Sequence, residues 1–246
     1  MFDNTIKFIA ENSYVENSKD IYPIPTKLNI PEWFKKLNHS HEYKTIKGCM
    51  PFLDTLTTGY ILKMPVDYYI KHNVEVDGEF KTGMASSAEN VFDYNKINVN
   101  INRREEGHSR FQIEGSPLNE KNKNLTIHKI LNPWSIVTPP GYSCLFTPIL
   151  NNRDDRFEII SGIVDTDKFP TEINFPFIVN GDKYKSLDSL IKRGTPYVQI
   201  IPFKRESWKM KIEGITEDKL KTRNFFSIKH ILNNYKQLFW SKKKWR

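Results

Sequence analysis

Asp165 and Asp167 stand two residues apart in the stretch GIVDTD, a spacing that turns both carboxylates to one face of an extended chain. Two acids so placed could bind a divalent cation; the competing reading is a solvated pair that stabilises a turn. Other side chains suited to a ligand lie nearby in sequence. TPPGYSCLF is a proline-stiffened turn that presents Tyr142. KRGTPYVQII opens on Lys192 and Arg193, turns at Gly194 with an expected positive φ, and runs into a strand carrying Gln199 among apolar neighbours. For phosphate chemistry, cations such as Arg153, Arg156 or Lys192 must converge on Asp165. In HSHE, His39 and His41 with Glu42 offer two imidazoles on one side of an extended segment. Joined by His108 or His128 they would make the histidine and carboxylate set of an iron oxygenase, against the default of solvated surface histidines. No Gly-x-Ser-x-Gly elbow, Walker loop or cysteine–histidine signature occurs, and the sequence names neither a cofactor nor a resident metal.

These residues need a scaffold. GYILKMPVDYYI, INVNINRR and SRFQIEG are short apolar bursts set off by Gly, Asn and Asp turns, a pattern that predicts many short strands and almost no helix over residues 43–130. The same texture runs on through WSIVTPPGYSCLFTPI, RFEIISGIVDT, INFPFIVNG and YVQIIPF. The core is therefore expected to be mainly β. Its densest apolar alternation, in Trp134, Phe146, Ile160, Ile163, Phe175, Phe177, Val198 and Ile200, places the protected centre within residues 134–203. The polar, proline-punctuated start reads as an extended arm with one helical turn opened by Pro31. At the other end Ile228, Ile231, Leu232, Tyr235, Leu238 and Phe239 recur at three- and four-residue steps, an amphipathic helix with Ser227 as N-cap. Such a stripe demands burial on the β domain or on a neighbouring subunit. The expected division is an arm over 1–42, a β domain over 43–212 and a helical extension over 213–246.

With 246 residues, 38% of them hydrophobic, the chain can bury a sizeable core, which argues against disorder. Cys49 and Cys144 lie far apart without partner spacing, against a disulfide scaffold or cysteine zinc site and for a reducing cytoplasm. No run approaches eighteen apolar residues, and MFDNTIKFIAENSYVENSKD lacks the basic-then-apolar order of a signal peptide. The expectation is a soluble, unexported protein with no transmembrane segment. A net charge of +8 permits attraction to nucleic acid, phosphorylated ligands or an acidic protein surface without choosing among them. The basic C-terminus WSKKKWR could contact nucleic acid through phosphates and Trp stacking, or lie on an anionic membrane; a solvated tail is the plainer reading.

In order and rough spacing, TPPGYSCLF, GIVDTD and KRGTPYVQII resemble the pattern of the trimeric dUTPases over residues 134–203. The resemblance implies a β-clip or jelly-roll fold with active sites shared between subunits, and it places at Asp165 the acid that contacts the sugar and activates water. Several family features are missing. Lys168 occupies the position of the aromatic that packs under the deoxyribose, with Phe169 one step away. TPILNNRDD stands where an Arg-Ser phosphate segment is expected, and no glycine-rich clamp follows Phe203. Triphosphate hydrolysis requires several cations and backbone donors around the transferred charge, and these segments supply few.

A second resemblance spans more of the chain. KGCMPFLDTLTTGYILKMPVDYYI, NPWSIVTPPGYSCLF, ISGIVDTD and IKRGTPYVQIIPFKRESW are similar to a family of uncharacterised phage and bacterial proteins, which implies a phage setting, host cytoplasm or virion, and no particular chemistry. The favoured expectation is a phage-type binding or assembly protein, a homo-oligomer or partner in phage assembly, on a dUTPase-like β scaffold. Two alternatives stand beside it: a nucleotide-processing hydrolase with a rearranged pocket around Asp165, with Asp167, Tyr142, Gln199, Lys192 and Arg193 as ligand contacts, and a cupin-like metal-dependent oxygenase.

Overall fold

Extended apolar runs closed by Gly, Pro and Asn turns give fourteen strands among the described residues: β1 (Lys7–Ala10), β2 (Ile24–Pro25), β3 (Tyr60–Lys63), β4 (Tyr68–Asn73), β5 (Lys81–Ser86), β6 (Glu105–His108), β7 (Ile127–Ile130), β8 (Trp134–Val137), β9 (Tyr142–Thr147), β10 (Phe157–Ile159), β11 (Gly162–Val164), β12 (Phe175–Val179), β13 (Ser186–Ile191) and β14 (Pro196–Lys204). The computed structural model describes residues 4–40, 42–74, 81–86, 105–123, 125, 127–228 and 234–246. The strands form four antiparallel sheets, in the orders β1-β8, β10-β12-β7-β6, β11-β9-β14-β3-β2 and β13-β4-β5. The protein is mainly β, as its turn-punctuated sequence predicts.

One apolar cluster draws on all four sheets: Trp134 and Ile136 from the first, Phe157, Phe175 and Phe177 from the second, Leu62, Phe146, Val198 and Ile200 from the third, and Tyr68, Ile70 and Ile191 from the fourth. At ~25 cal/mol per Å² of apolar surface, each such side chain contributes about 1.5–3 kcal/mol. Ile163 departs from the expected core. It projects from β11, the edge strand of the five-stranded sheet, and is exposed because nothing packs over that edge among the described residues.

The N-terminal residues meet the sheets directly. β1 pairs with β8 and β2 with β3, while Val15 and Ile21 enter the core cluster. Pro31 does precede a one-turn helix, Glu32–Lys36, which buries Phe34. Two local expectations change. SRFQIEG forms a 3-10 turn, Arg110–Ile113, because the Ser109 hydroxyl accepts from the Phe111 amide and holds the chain in a tight helical bend. INVNINRR lies outside the described residues. Gly194 adopts φ +82°, the left-handed conformation its turn requires.

The C-terminal helix also begins elsewhere. It runs over Glu217–Ile228, so Ser227 lies inside it; the start is set by Thr216, whose carbonyl accepts from Leu220, followed by Glu217 and Asp218 in the first turn. Acids there complement the helix dipole without any apolar stripe. A second short helix spans Asn234–Leu238. Ile231 and Leu232 lie outside the described residues, and Tyr235, Leu238 and Phe239 are exposed. The final residues return to it instead. The Trp240 indole donates to Asp54, Lys243 pairs with the same carboxylate at 2.5 Å, and Trp245 sets its ring edge-on to Tyr60 at 5.9 Å. The basic tail is a docked segment. No described helix is long and apolar enough to cross a membrane.

Candidate functional site

Antiparallel pairing of β9 with β14 sets Lys204 opposite Tyr142, which carries the next residue, Arg205, beside the PPGY turn. The Arg205 amide donates to the Gly141 carbonyl at 2.8 Å. Its guanidinium then spans the turn. One nitrogen donates to the Tyr142 carbonyl at 2.9 Å, the Ser143 hydroxyl at 3.0 Å and Asp167 Oδ1 at 2.7 Å, and the other to Asp167 Oδ2 at 2.5 Å. Asp167 Oδ2 also accepts from the Gly141 amide at 2.8 Å. A bidentate pair of this kind is strong and directional. The Arg205 guanidinium holds the Asp167 carboxyl well below the usual carboxylate range, helped by the Gly141 amide.

The two acids therefore differ. Asp167 keeps only 6% of its side-chain surface exposed, whereas Asp165 keeps 52%. Asp165 accepts from the Ser143 hydroxyl at 2.6 Å and lies 3.3 Å from Arg205. The pair does not present two free carboxylates to a cation. Ser143 is buried and spends its proton on Asp165. Beneath them the Thr138 and Thr166 hydroxyls meet at 2.7 Å, and Thr166 donates to the Cys144 sulfur. Burial pushes the Cys144 thiol up to about 11, so it stays protonated and unreactive at neutral pH. The assembly is a brace that ties the PPGY turn, the β11 turn and the end of β14 together, with Asp165 as its one open carboxylate.

The remaining candidates are spread over the molecule. Tyr142 reaches this brace through its carbonyl, and its hydroxyl accepts from Asn4. Gln199 is fully buried. Its side chain accepts from the Leu150 amide at 3.0 Å and donates to the Thr55 and Thr58 carbonyls at 3.0 and 2.7 Å. Arg193 grips Asp20 and the Pro65 carbonyl, joining the N-terminal segment to the β3–β4 turn, and lies over the Tyr14 ring. Lys192, beside Arg193 in the β13–β14 turn, is exposed. Arg153 pairs with Glu158 and Arg156 with Asp154, so neither converges on Asp165. The cation that does is Arg205. It lies past the dUTPase-like KRGTPYVQII stretch, and the β9–β14 register is what brings it to Asp165.

The histidines do not assemble either. His39 accepts from the Thr45 amide, His72 meets the Tyr184 carbonyl, and His128 stacks on Phe177. Among the described residues no three His, Cys, Asp or Glu side chains group closely enough to hold a metal ion; His41 lies outside them.

Compared with protein-family models, curated proteins and solved structures, the chain matches none. Its function must be argued from its own surface.

Two grooves open on that surface away from Asp165. One, of about 700 Å³, lies beside β1 and is lined by Phe8, Ile9, Tyr22, Pro23 and Trp134. The other, of about 710 Å³, lies between Trp33 and Arg153. The most exposed apolar residues lie elsewhere again, on a segment that leaves the β domain at Arg205. Residues 206–216 form no regular secondary structure and join no sheet. They expose Trp208 (88%), Met210 (84%), Ile212 (86%) and Ile215. Trp240 holds the chain to the domain again, on Asp54.

Proposed function

We propose that the protein is a binding or assembly protein of phage type, built on a dUTPase-like β-clip scaffold and acting in the host cytoplasm or the virion, with residues 206–239 as its interaction segment. The observation that carries this reading is the row Trp208, Met210 and Ile212, held out in solvent between the Arg205–Asp167 and Trp240–Asp54 anchors. A contiguous exposed apolar row on a folded chain marks a contact surface. The brace around Asp165 supports the same reading from the other side. Its single arginine is engaged by Asp167, and Arg153 and Arg156 are paired elsewhere, so a polyphosphate finds few cations there.

The alternative, a nucleotide-processing hydrolase around Asp165, predicts pyrophosphate or phosphate release from deoxynucleoside triphosphates with magnesium. No turnover above background is expected. Turnover that Asp165→Asn abolishes would overturn the proposal in favour of the hydrolase.

A further inference from the structure

β1 ends its two-stranded sheet: β8 covers one side, and among the described residues no strand pairs with the other. Beside this strand lies the groove lined by Phe8, Ile9, Tyr22, Pro23 and Trp134. Its floor holds an unsatisfied group. The Trp134 indole N–H is buried without a hydrogen-bond partner, although the ring itself is packed edge-on to Tyr22 at 5.7 Å. An open sheet edge beside an apolar groove is the acceptor for an added strand, with the backbone pairing and alternate side chains entering the groove.

The same chain carries an unpaired segment with the alternation of a strand. In WKMKI, Trp208, Met210 and Ile212 alternate with Lys209 and Lys211. In extended backbone this sends three apolar side chains to one face and two lysines to the other. The segment continues directly from β14, and the Arg205 brace fixes where it departs. In its own copy it stays out of the groove, with its apolar row almost wholly exposed.

We infer that residues 206–215 of one copy add as a strand to the free edge of β1 in a second copy, laying the Trp208–Met210–Ile212 row into the groove beside Trp134. This rests on the reading of residues 206–239 as an interaction segment and names its partner. Donor and acceptor are both present in one chain, which favours a second copy over a foreign strand. The lysines flanking the row can reach the rim, where Glu16 supplies a carboxylate. Trp208 alone would bury on the order of 150–250 Å² in the groove, and reciprocal exchange makes the contact twice in one dimer. Reciprocal exchange closes the assembly as a dimer, whereas a one-way contact closes into a ring or extends as a filament.

Cysteine pairing tests it on the full chain. In a Cys49→Ser background, one chain carries Ile9→Cys and a second carries Trp208→Cys, Met210→Cys or Ile212→Cys. Each pair is mixed and mildly oxidised. The expected result is a cross-linked species at twice the 29.0 kDa chain mass from at least one mixed pair, absent when the Ile9→Cys chain is oxidised alone. If no mixed pair cross-links while the unmodified chain still associates through residues 208–212, the groove is the wrong acceptor: the inference falls and the proposed function stands. If a chain carrying both cysteines closes on itself with no link between chains, the strand docks in its own copy and the inference is likewise overturned. A chain that neither cross-links nor associates removes both.

Discussion

Trp240 places its indole nitrogen 3.1 Å from each carboxylate oxygen of Asp54, at 186 residues' separation in sequence. Together with Lys243 on the same acid, this contact ties the chain end to the Met50–Thr55 helix, as the Arg205–Asp167 pair ties the end of β14. Asp54→Ala should release residues 240–246, with faster hydrogen exchange there and a loss of about 1–2 kcal/mol. Wild-type exchange in the tail of this variant would contradict the anchoring role.

The other anchor carries a pH dependence. Because Arg205 holds the Asp167 carboxyl below its ordinary range, the stability from this pair is fully present above an unfolded pKa of about 4 and is lost as pH falls through the folded value. Asp167→Asn removes that titration. Urea melts at pH 7 and pH 3 should therefore show a smaller acid-induced loss in the variant than in the wild type, and equal losses would rule the linkage out.

Gln199 predicts a large effect far from any ligand. Gln199→Met keeps the volume but strands the Leu150 amide and the Thr55 and Thr58 carbonyls inside the core. The expected cost is about 2–4 kcal/mol by chemical denaturation. A change under 1 kcal/mol would mean that these groups find other partners.

Two glycines should separate cleanly. Gly194, at φ +82°, faces only ordinary contact, 3.6 Å from the Asp20 carbonyl, so Gly194→Ala should cost about 1 kcal/mol. Gly59 has φ +74°, and a Cβ there would sit 2.0 Å from the Ile200 carbonyl oxygen. Gly59→Ala should cost about 3 kcal/mol or more. Thermal melts that rank the two variants equally would contradict this packing.

The strands were legible where a short apolar run is bounded by turn residues, as in YILK of β3 and FPFIV of β12, because burial on both faces leaves adjacent apolar positions in the sequence. β13 was not, since SLDSLI puts Ser and Asp among its outward positions and carries little apolar contrast. The polar helix Glu217–Ile228 hid for the same reason. The Asp165 turn could be placed from its motif, but not the role of its neighbour: Asp167 is silenced by Arg205, 38 residues away, and only strand register brings them together. Gln199 and Arg193 looked like ligand contacts because polar side chains in apolar runs signal either a site or an internal brace, and composition cannot separate the two.

Sedimentation velocity of the full chain beside a Trp208→Ser/Met210→Ser/Ile212→Ser variant tests the account most directly. These three side chains are exposed in the isolated copy, so the substitutions leave its core intact. The expected mass is a multiple of 29.0 kDa for the wild type, falling to 29.0 kDa for the variant at the same concentration. A monomeric wild type, or a variant that keeps the wild-type mass, would contradict it.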